Sequence, residues 1–273
     1  SRQQCASLLA LSTLGIFNGA TEGKHKYRFR VHQLLTLQCT PSVLCLLQYF
    51  TTLGKDGVPG GTVVFERRRA AVIFADVENS CAPLCEIEFI SEGPIEDDDA
   101  DGEAVLHVDF ANMQIGGGVL TGDFGQEEIM FLQKPEMMVG MAFSPLLKDD
   151  EVIVIHGAMR YSRTRGQRSA FAFDGPAPIG STSRVPSVVC LDALDLRVGL
   201  KPRMFEAPFL RRDLLKAYNG FVGAAVVVSG HWGCGAFGHE PCLKLAQQWI
   251  AASAAGVKKL RFHPLKYSKG DIA

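Results

Sequence analysis

The chain has 273 residues, of which 47% are apolar and 21% are charged, and its formal net charge is −1. This apolar content supplies a full core and excludes an intrinsically disordered chain. The length suits one large domain, or one domain with an accessory piece. Because the net charge is close to zero, no overall field attracts nucleic acid, and we expect no direct nucleic-acid binding.

The cysteines and the apolar N-terminal run bear on metal binding and on location. The eight cysteines include no C-x-x-C pair, and Cys81 and Cys85 have no matching histidine or cysteine pair. We therefore expect no metal, and we expect buried free thiols in a reducing compartment. The apolar run from Ala6 to Phe17 is too short for a bilayer and lacks signal-peptide flanks. We therefore expect no membrane association and a soluble, intracellular protein.

Two parts of the chain differ in their periodicity. In residues 1–53 leucines recur at near-helical spacing, and a breaker-rich loop follows from Gly54 to Gly61. These patterns predict a helical accessory region over residues 1–60 and a main domain over residues 61–273.

The main domain alternates strands with helices. Helices are predicted at Gln126 to Gln133, at about Phe209 to Asn219 and at His239 to Ala254. Seven short β-branched runs predict strands, the last of them more weakly: T-V-V-F, C-E-I-E-F-I, E-A-V-L-H-V-D-F, V-I-V-I-H-G, S-V-V-C-L-D-A, A-A-V-V-V-S and K-K-L-R-F. Several runs are apolar throughout, which predicts an α/β fold with a largely buried sheet.

Three charged runs interrupt these elements. Lys24 to Arg30 and Arg67 to Arg69 are basic, and Glu96 to Glu103 is acidic. Such runs are usually solvated faces, and we expect the acidic run to be an exposed loop. The alternative for the basic runs is contact with a polyanionic substrate or protein partner.

The segment from Val108 to Glu136 combines features that suit catalysis. A strand ends at Asp109, three glycines follow at Gly116 to Gly118, and Glu127 and Glu128 open an apolar helix. Glycines let a backbone run flat against a ligand, and a helix start suits phosphate. Because carboxylates held there can transfer protons, the segment predicts an enzyme that acts on a phosphorylated sugar.

A second glycine-rich stretch has two interpretations. Gly233 to Gly238 reads G-x-G-x-x-G between a strand and a helix, which matches a dinucleotide-binding fingerprint. The acidic residue expected about 20 positions later is missing, since Ser253 to Phe262 contains no Asp or Glu. We therefore reject a Rossmann enzyme, but glycine N–H groups at a helix start still suit a diphosphate.

These motifs together resemble the poly(ADP-ribose) glycohydrolase family. The triple glycine precedes Q-E-E by seven residues, V-D-F-A-N leads it, Pro135-Glu136 ends the helix, and W-G-C-G-A-F-G resembles the family's diphosphate-binding loop. The resemblance implies a macrodomain, with a mixed sheet between helices and an N-terminal helical region. It also implies hydrolysis of ribose–ribose O-glycosidic bonds of poly(ADP-ribose) to ADP-ribose, without metal or cofactor. The expected partners are the polymer and poly(ADP-ribosyl)ated proteins in the nucleus or cytoplasm, with the protein a monomer acting in the DNA damage response.

The resemblance also implies roles for residues. Glu128 would be the general acid, Glu127 would hold ribose hydroxyls, and Asp109 and Asn112 would position the catalytic ribose, with Gln126 near the nucleotide. Without the resemblance, the glutamates would be ordinary helix-start carboxylates, and Asp109 and Asn112 would be turn residues. Burial and a nearby carboxylate raise the pKa of Glu128 and the helix dipole lowers it, and the sequence leaves that sum open.

The remaining binding positions follow from the same resemblance. Phe237 would pack on the reacting ribose and Phe262 on the adenine, although both would otherwise be read as core. Ile95 and Glu96 would contact the adenine. The backbone binding set, which we expect to grip one diphosphate from two loops, is Gly116, Gly117, Gly118, Gly233, Cys234, Gly235, Ala236, Phe237 and Gly238.

The chain departs from the family pattern at three positions. His231 stands where Asn is usual, Gln167 where a ligand-contacting Tyr is expected, and Asp123 adds a charge to the catalytic loop. The loop around Gln167 also carries Arg160, Arg163, Arg165 and Arg168, which touch either phosphates or solvent. Two rival functions stay open: a macrodomain that only binds ADP-ribose, and a hydrolase that removes single ADP-ribose units from proteins.

Overall fold

The computed structural model describes residues 1–17, 19–20, 28–37, 39–69, 77–98, 100, 104–178, 185–197 and 201–264. The chain forms two compact units, each built from separate segments. Unit one comprises residues 1–65, 111–146 and 155–185, and unit two comprises residues 66–110, 147–154 and 186–273. The boundary that the sequence predicts at residue 60 stays a prediction.

The elements are numbered in chain order. The α-helices are α1 (Arg2–Thr13), α2 (Gln33–Thr36), α3 (Thr40–Asp56), α4 (Gln126–Gln133), α5 (Ala207–Phe221) and α6 (Pro241–Ala254). The strands are β1 (Gly19–Ala20), β2 (Arg28–Phe29), β3 (Val64–Arg69), β4 (Glu86–Phe89), β5 (Val105–Asp109), β6 (Glu151–His156), β7 (Ser162–Arg165), β8 (Ala172–Pro176), β9 (Ser187–Cys190), β10 (Val226–Gly230) and β11 (Lys259–His263). Short 3-10 helices lie at Ile95–Asp97, Pro135–Ala142, Arg168–Ala170 and Lys201–Phe205.

These bounds confirm most of the predicted elements. All seven predicted strands form, α4 has the predicted bounds, and α5 and α6 lie over the other two predicted helices. The helical prediction for residues 1–53 is incomplete, because β1 pairs antiparallel with β2 between α1 and α2. Two-residue strands carry no periodicity of their own, so no pattern in the sequence predicts this ladder.

The sheet of unit two explains why its central strands are largely apolar runs. Seven strands pair in the order β3-β6-β9-β5-β10-β11-β4. Within it β5 pairs in parallel with both β9 and β10, and β11 pairs in parallel with β10 and β4. Because a parallel sheet is covered on both faces, its central strands must be apolar on both sides. Every residue of β5 is accordingly buried, His107 and Asp109 included.

Helices α5 and α6 pack on each other and complete the core of unit two. Their contributions include Ala217, Phe221 and Ala251, which meet Val227 of β10 and the fully buried Trp232. At about 25 cal/mol per Å² of buried apolar surface, each such aromatic side chain stabilises the fold by a few kcal/mol.

Unit one is organised around α4, whose residues from Glu127 to Gln133 are all buried. Helix α3 and strand β7 contact α4, and α1 contacts the 3-10 helix that follows it. Pro135 ends α4, because proline lacks the N–H that the next turn needs and restricts the residue before it.

A buried carboxylate ties α1 to this 3-10 helix. Glu136 accepts hydrogen bonds from the Met159 N–H at 2.9 Å and the Tyr161 hydroxyl at 3.0 Å, and pairs with the Arg2 guanidinium at 3.3 Å. Arg2 also donates to the carbonyls of Gly60 and Gly157. Burial raises the pKa of Glu136 above its ordinary value, and the Met159 N–H and Arg2 oppose that shift.

Several expectations about surface and sulfur need correction. The structure contains free thiols, but Cys81 and Cys242 are exposed rather than buried. The described part of the acidic run is not a solvated cluster, because Glu96 is buried and Asp98 accepts hydrogen bonds from Arg261 and His263. Burial alone would raise the pKa of Asp98, but these partners lower it to about 2. Residues 24–27 of the first basic run lie outside the described residues.

The second basic run is neutralised locally. Arg67 pairs with Glu151, Arg68 with Glu66 and Arg69 with Asp150. This pairing favours the interpretation as a solvated face. Across the described ranges, no helix is both long and apolar enough to cross a membrane. In the same ranges, no cluster of three or more His, Cys, Asp or Glu could hold a metal ion.

The Arg2–Glu136 pair yields a stability prediction. Arg2→Met should lower the free energy of unfolding by about 3 kcal/mol, because it leaves a buried carboxylate without its cation. A raised pKa means that the cost of burying ionised Glu136 is absent below the ordinary glutamate value of 4.5 and grows as pH rises. Urea unfolding at pH 5 and pH 8 should therefore show a larger loss at pH 8.

The double variant Arg2→Met/Glu136→Gln is the control. It removes the buried charge as well as its partner, so it should recover part of the loss. If the two single changes add without coupling in unfolding experiments, the ion pair does not hold α1.

Candidate active site

The triple glycine of unit one wraps over the start of α4 and binds its two glutamates. The Gly116 N–H donates to Glu127 Oε1 at 2.6 Å, and the Gly118 N–H donates to Glu128 Oε1 at 2.8 Å. Gly116 and Gly117 have φ of +89° and +45°, a region that glycine enters without steric cost. The N–H groups of Gly116 and Gly118 therefore bind carboxylates of α4, and the expectation that this loop helps to grip a diphosphate stays a prediction.

Both carboxylates face Gly117. A Cβ atom on Gly117 would lie 2.6 Å from Glu127 Oε2 and would also collide with Glu128 Oε1. Adjacent residues point in different directions from a helix, yet these two carboxylates meet because the loop crosses the helix start. The absence of a side chain at residue 117 is what lets two acids share one small space.

Glu128 lies in an environment that disfavours its ionised form. It is 8% exposed, and burial raises its pKa above the ordinary glutamate value. The Asp123 carboxylate adds to that rise, while the N–H groups of Gly118 and of the helix start oppose it. The sum that the sequence left open is therefore upward, which suits a proton donor near neutral pH.

Glu127 is fixed by two donors from the loop. Its Oε2 accepts the Asn112 N–H at 2.9 Å, in addition to the Gly116 bond to Oε1. Two bonds to one carboxylate restrict its rotation, so each oxygen keeps a defined direction. Gln126 begins α4 and is partly buried, and its role near a nucleotide stays a prediction.

Asp109 and Asn112 follow the strand end as the sequence indicates. Asp109 is fully buried in unit two, and its backbone carbonyl accepts the Leu191 N–H at 3.3 Å. Asn112 in unit one accepts the Gln114 N–H at 3.3 Å through its side chain, which is turn chemistry. Their roles in positioning a ribose stay predictions.

The second glycine loop, in unit two, rests on a buried tryptophan. The Trp232 indole N–H donates to the Leu191 carbonyl at 3.0 Å, and the Lys244 ammonium lies 3.5 Å from the centre of its ring. Gly233 has a φ of +75°, and a Cβ atom there would lie 2.6 Å from Ala193. Apart from its two chain neighbours, no described residue has an atom within 4 Å of the Cβ position of Gly235, so the loop backbone is open there.

Buried charged side chains form an ion-pair network around Lys244, which contacts Trp232 of this loop. Lys244 pairs with Asp213 at 2.6 Å, and Asp213 also pairs with Arg212 at 2.8 Å. Burial alone would raise the pKa of Asp213, but the two cations lower it below its ordinary value. The imidazole of His239, at the end of the loop, donates to the Leu194 carbonyl at 2.7 Å.

Other predicted binding residues differ in exposure. Phe262 is 1% exposed and packs edge-on against Phe89 and His231, as a core residue does. Ile95 and Glu96 are also buried, and Ile95 lies against Gly230 at the end of β10. Burial lowers the pKa of His231, so the expected titration near neutral pH shifts downward. Contact of these residues with adenine stays a prediction.

The loop residues Cys234, Ala236, Phe237 and Gly238 lie between β10 and α6, as predicted. Burial raises the pKa of Cys234 to about 12, so its thiol stays protonated. The Arg197 guanidinium lies 5.5 Å from the centre of the Phe237 ring. The expectation that this loop and the triple glycine grip one diphosphate stays a prediction.

One contact of the loop that precedes α4 is not signalled by the sequence. The rings of Phe124 and Phe171 stack with centres 4.5 Å apart, and the Arg168 N–H donates to the Phe124 carbonyl at 2.9 Å. Both partners are ordinary residues on separate segments, so no local pattern signals their contact. The stack attaches the loop between β7 and β8 to the residue before Gly125.

The model of the family described as Poly (ADP-ribose) glycohydrolase (PARG), Macro domain fold, matches residues 74–270, which is more than half of the chain. The chain belongs to the poly(ADP-ribose) glycohydrolase family. The probable poly(ADP-ribose) glycohydrolase 2 of Arabidopsis thaliana is 29% identical over 78% of this chain and 51% of its own length. Poly(ADP-ribose) glycohydrolase 1 of Caenorhabditis elegans is 31% identical over 86% of this chain and 32% of its own length.

A solved structure agrees on the fold. The crystal structure of poly(ADP-ribose) glycohydrolase from Thermomonospora curvata aligns with a TM-score of 0.50 at 16% identity, covering 99% of this chain and 96% of that one. The predicted α/β macrodomain is therefore confirmed. The chain spans about half the length of the Arabidopsis relative that it matches.

The geometry at Gly117 yields a prediction for this family member. Gly117→Ala should lower turnover of the family substrate at least about 100-fold, because its methyl group displaces both carboxylates. The measurement is kcat on purified protein, with circular dichroism to confirm folding.

Gly57→Ala is the matched control. Gly57 also has a left-handed backbone, with φ +79°, but in the described part of the chain only its two neighbours can have atoms within 4 Å of its Cβ position. It should lose stability through backbone strain and keep its turnover. Equal turnover in the two alanine variants would contradict the proposed collision.

Proposed function

We propose that this chain hydrolyses the ribose–ribose O-glycosidic bonds of poly(ADP-ribose) and releases ADP-ribose. One observation carries the proposal: a buried glutamate with a raised pKa is held by the triple-glycine loop in a member of this family. The names of the relatives in Arabidopsis and Caenorhabditis state the same activity for those proteins.

The proposed reaction uses a single acid in two steps. Protonated Glu128 donates its proton to the oxygen that leaves the anomeric carbon, the C–O bond breaks, and an oxocarbenium ion forms. The Glu128 carboxylate then takes a proton from water, whose oxygen bonds to the anomeric carbon. The net change is one water consumed per bond, and Glu128 ends protonated as it began.

The other residues hold the substrate. Glu127 accepts hydrogen bonds from ribose hydroxyls. The Asn112 and Gly116 N–H groups orient its carboxylate for this role. The glycine loop after β10 binds the diphosphate, since the open backbone at Gly235, ahead of α6, suits phosphate oxygens. We extend the proposal to poly(ADP-ribosyl)ated proteins as the carriers of the polymer.

Substitution of the acid gives the central prediction. Glu128→Gln should lower turnover of labelled poly(ADP-ribose) about 1,000-fold, because the amide cannot donate an acidic proton. Binding of ADP-ribose, measured by calorimetry, should remain. The same variant should melt at a higher temperature than the wild type at pH 8, because it removes a buried carboxylate whose ionisation the fold disfavours.

The sign of the pH dependence follows from the raised pKa. The stability cost of ionised Glu128 is absent below the ordinary value of 4.5 and grows as pH rises through the folded-state pKa. The advantage of Glu128→Gln should therefore shrink in acid. Asp123→Asn removes a charge that raises the pKa of Glu128, so the alkaline limb of kcat/KM should move to lower pH.

Three outcomes would decide against the proposal. Unchanged polymer cleavage by Glu128→Gln would remove the acid from the mechanism. Binding of ADP-ribose without hydrolysis by the wild type would favour a macrodomain that only binds. Release of single ADP-ribose units from proteins, with no cleavage of polymer, would favour the mono-ADP-ribosyl hydrolase.

A further inference from the structure

Strand β7 of unit one carries exposed arginines on one face and buried residues that hold the strand in place on the other. Along β7 the residues Ser162 and Thr164 are buried, while Arg163 and Arg165 are exposed. Because side chains of a strand alternate between two faces, the two guanidinium groups share the outer face. On the inner face, the Gln133 amide at the end of α4 donates to the Thr164 hydroxyl at 2.8 Å.

These two arginines differ from the basic run at Arg67 to Arg69, where each arginine has a carboxylate partner. Within the described ranges, neither Arg163 nor Arg165 forms an ion pair. The contact of Arg163 is the backbone carbonyl of Asp174 at 3.5 Å. The local charge on this face is therefore not cancelled by direct pairing.

The strand is fixed with respect to the proposed acid. The Arg168 N–H binds the Phe124 carbonyl at 2.9 Å, and Phe171 stacks on Phe124. Phe124 precedes Gly125, whose Cβ position lies 2.8 Å from Glu128 Oε2. With consecutive Cα atoms about 3.8 Å apart, the Arg168 N–H in the loop between β7 and β8 lies within roughly 10 Å of the Glu128 carboxylate.

We propose that Arg163 and Arg165 bind the diphosphate of the polymer unit next to the one whose bond is cleaved. The inference rests on the proposed function and adds a polymer-specific subsite to it. The planar guanidinium matches phosphate oxygens with two parallel hydrogen bonds, and two such groups on one face suit a diphosphate. A single ADP-ribose unit has no second diphosphate, so this subsite distinguishes the polymer from the monomer.

Asp174 limits the strength of this subsite. It lies on the antiparallel partner β8, beside Phe173, which pairs with Thr164, and it is exposed. Its carboxylate repels phosphate, so Asp174→Asn should strengthen polymer binding while leaving both arginines in place.

The test compares charge variants on polymer and on monomer. Arg163→Gln/Arg165→Gln should raise KM for poly(ADP-ribose) about tenfold, leave kcat within about twofold, and leave the Kd for ADP-ribose unchanged. The slope of log kcat/KM against log salt should become shallower, because fewer phosphate contacts are made. Arg163→Lys/Arg165→Lys should keep part of the effect as point charges.

The control changes the net charge equally elsewhere. Arg69→Gln/Arg203→Gln removes two exposed arginines of unit two that already pair with carboxylates, and it should leave KM unchanged. An unchanged KM and salt slope in Arg163→Gln/Arg165→Gln would overturn the subsite. Equal weakening of ADP-ribose binding would also overturn it, because the arginines would then act on the first unit or on folding.

A failure of the proposed function is distinguishable from a failure of the subsite. If the wild type cleaves no polymer, the direct affinity of labelled poly(ADP-ribose) for the wild type and for Arg163→Gln/Arg165→Gln decides the matter. A tenfold weaker affinity in the variant supports the subsite, and equal affinities overturn it.

Discussion

The hydrogen bonds from backbone N–H groups to the two glutamates are the constraint on which the candidate site of unit one depends. Gly116, Gly118 and Asn112 each direct a donor at a carboxylate of α4, and both carboxylates fill the space where Gly117 lacks a side chain. The donors belong to the backbone, so the side-chain entropy lost in these bonds is that of the two glutamates alone. The bonds fix the direction of each oxygen in a buried setting, and burial raises the pKa of Glu128 above its ordinary value.

The glycine loop after β10 is held in place by contacts of a buried side chain. Its backbone is anchored through Trp232, whose ring faces the Lys244 ammonium and whose N–H binds the Leu191 carbonyl. Lys244 is in turn held by Asp213, which Arg212 shares. Buried ions are expensive unless they are paired, so this cluster determines one arrangement of the loop rather than adding much net stability.

The sequence predicts the elements whose signals are local. The central strands β5, β9 and β10 of unit two are largely buried because β5 pairs in parallel with both neighbours inside a covered sheet, so each appears as a β-branched run. Helix α4 has the predicted bounds because Gly125 and Pro135 flank it. The triple glycine was recognised by its spacing, but its partners were not, because a phosphate and a carboxylate make the same demand on an N–H group.

Properties that depend on residues far apart in the chain are not predicted by local sequence patterns. The sum that raises the pKa of Glu128 includes burial by residues far along the chain. Phe124 and Phe171 carry no pattern that joins them, and the acidic run appeared solvated because Arg261 and His263, which bind Asp98, lie about 160 residues away. The two units interleave along the chain, whereas periodicity shows only local changes in composition.

The ion pair between Arg2 and Glu136 bears on how a minimal fragment should be designed. A fragment cut to residues 74–270, the part that matches the family model, would omit Arg2 and all of α1 and α3. Glu136 would remain in an apolar interior, a few residues after Glu127 and Glu128, without the Arg2 guanidinium that pairs with it. Expression of the shorter piece should therefore fail through insolubility, and cloning for crystallisation or inhibitor screening should retain the first helix.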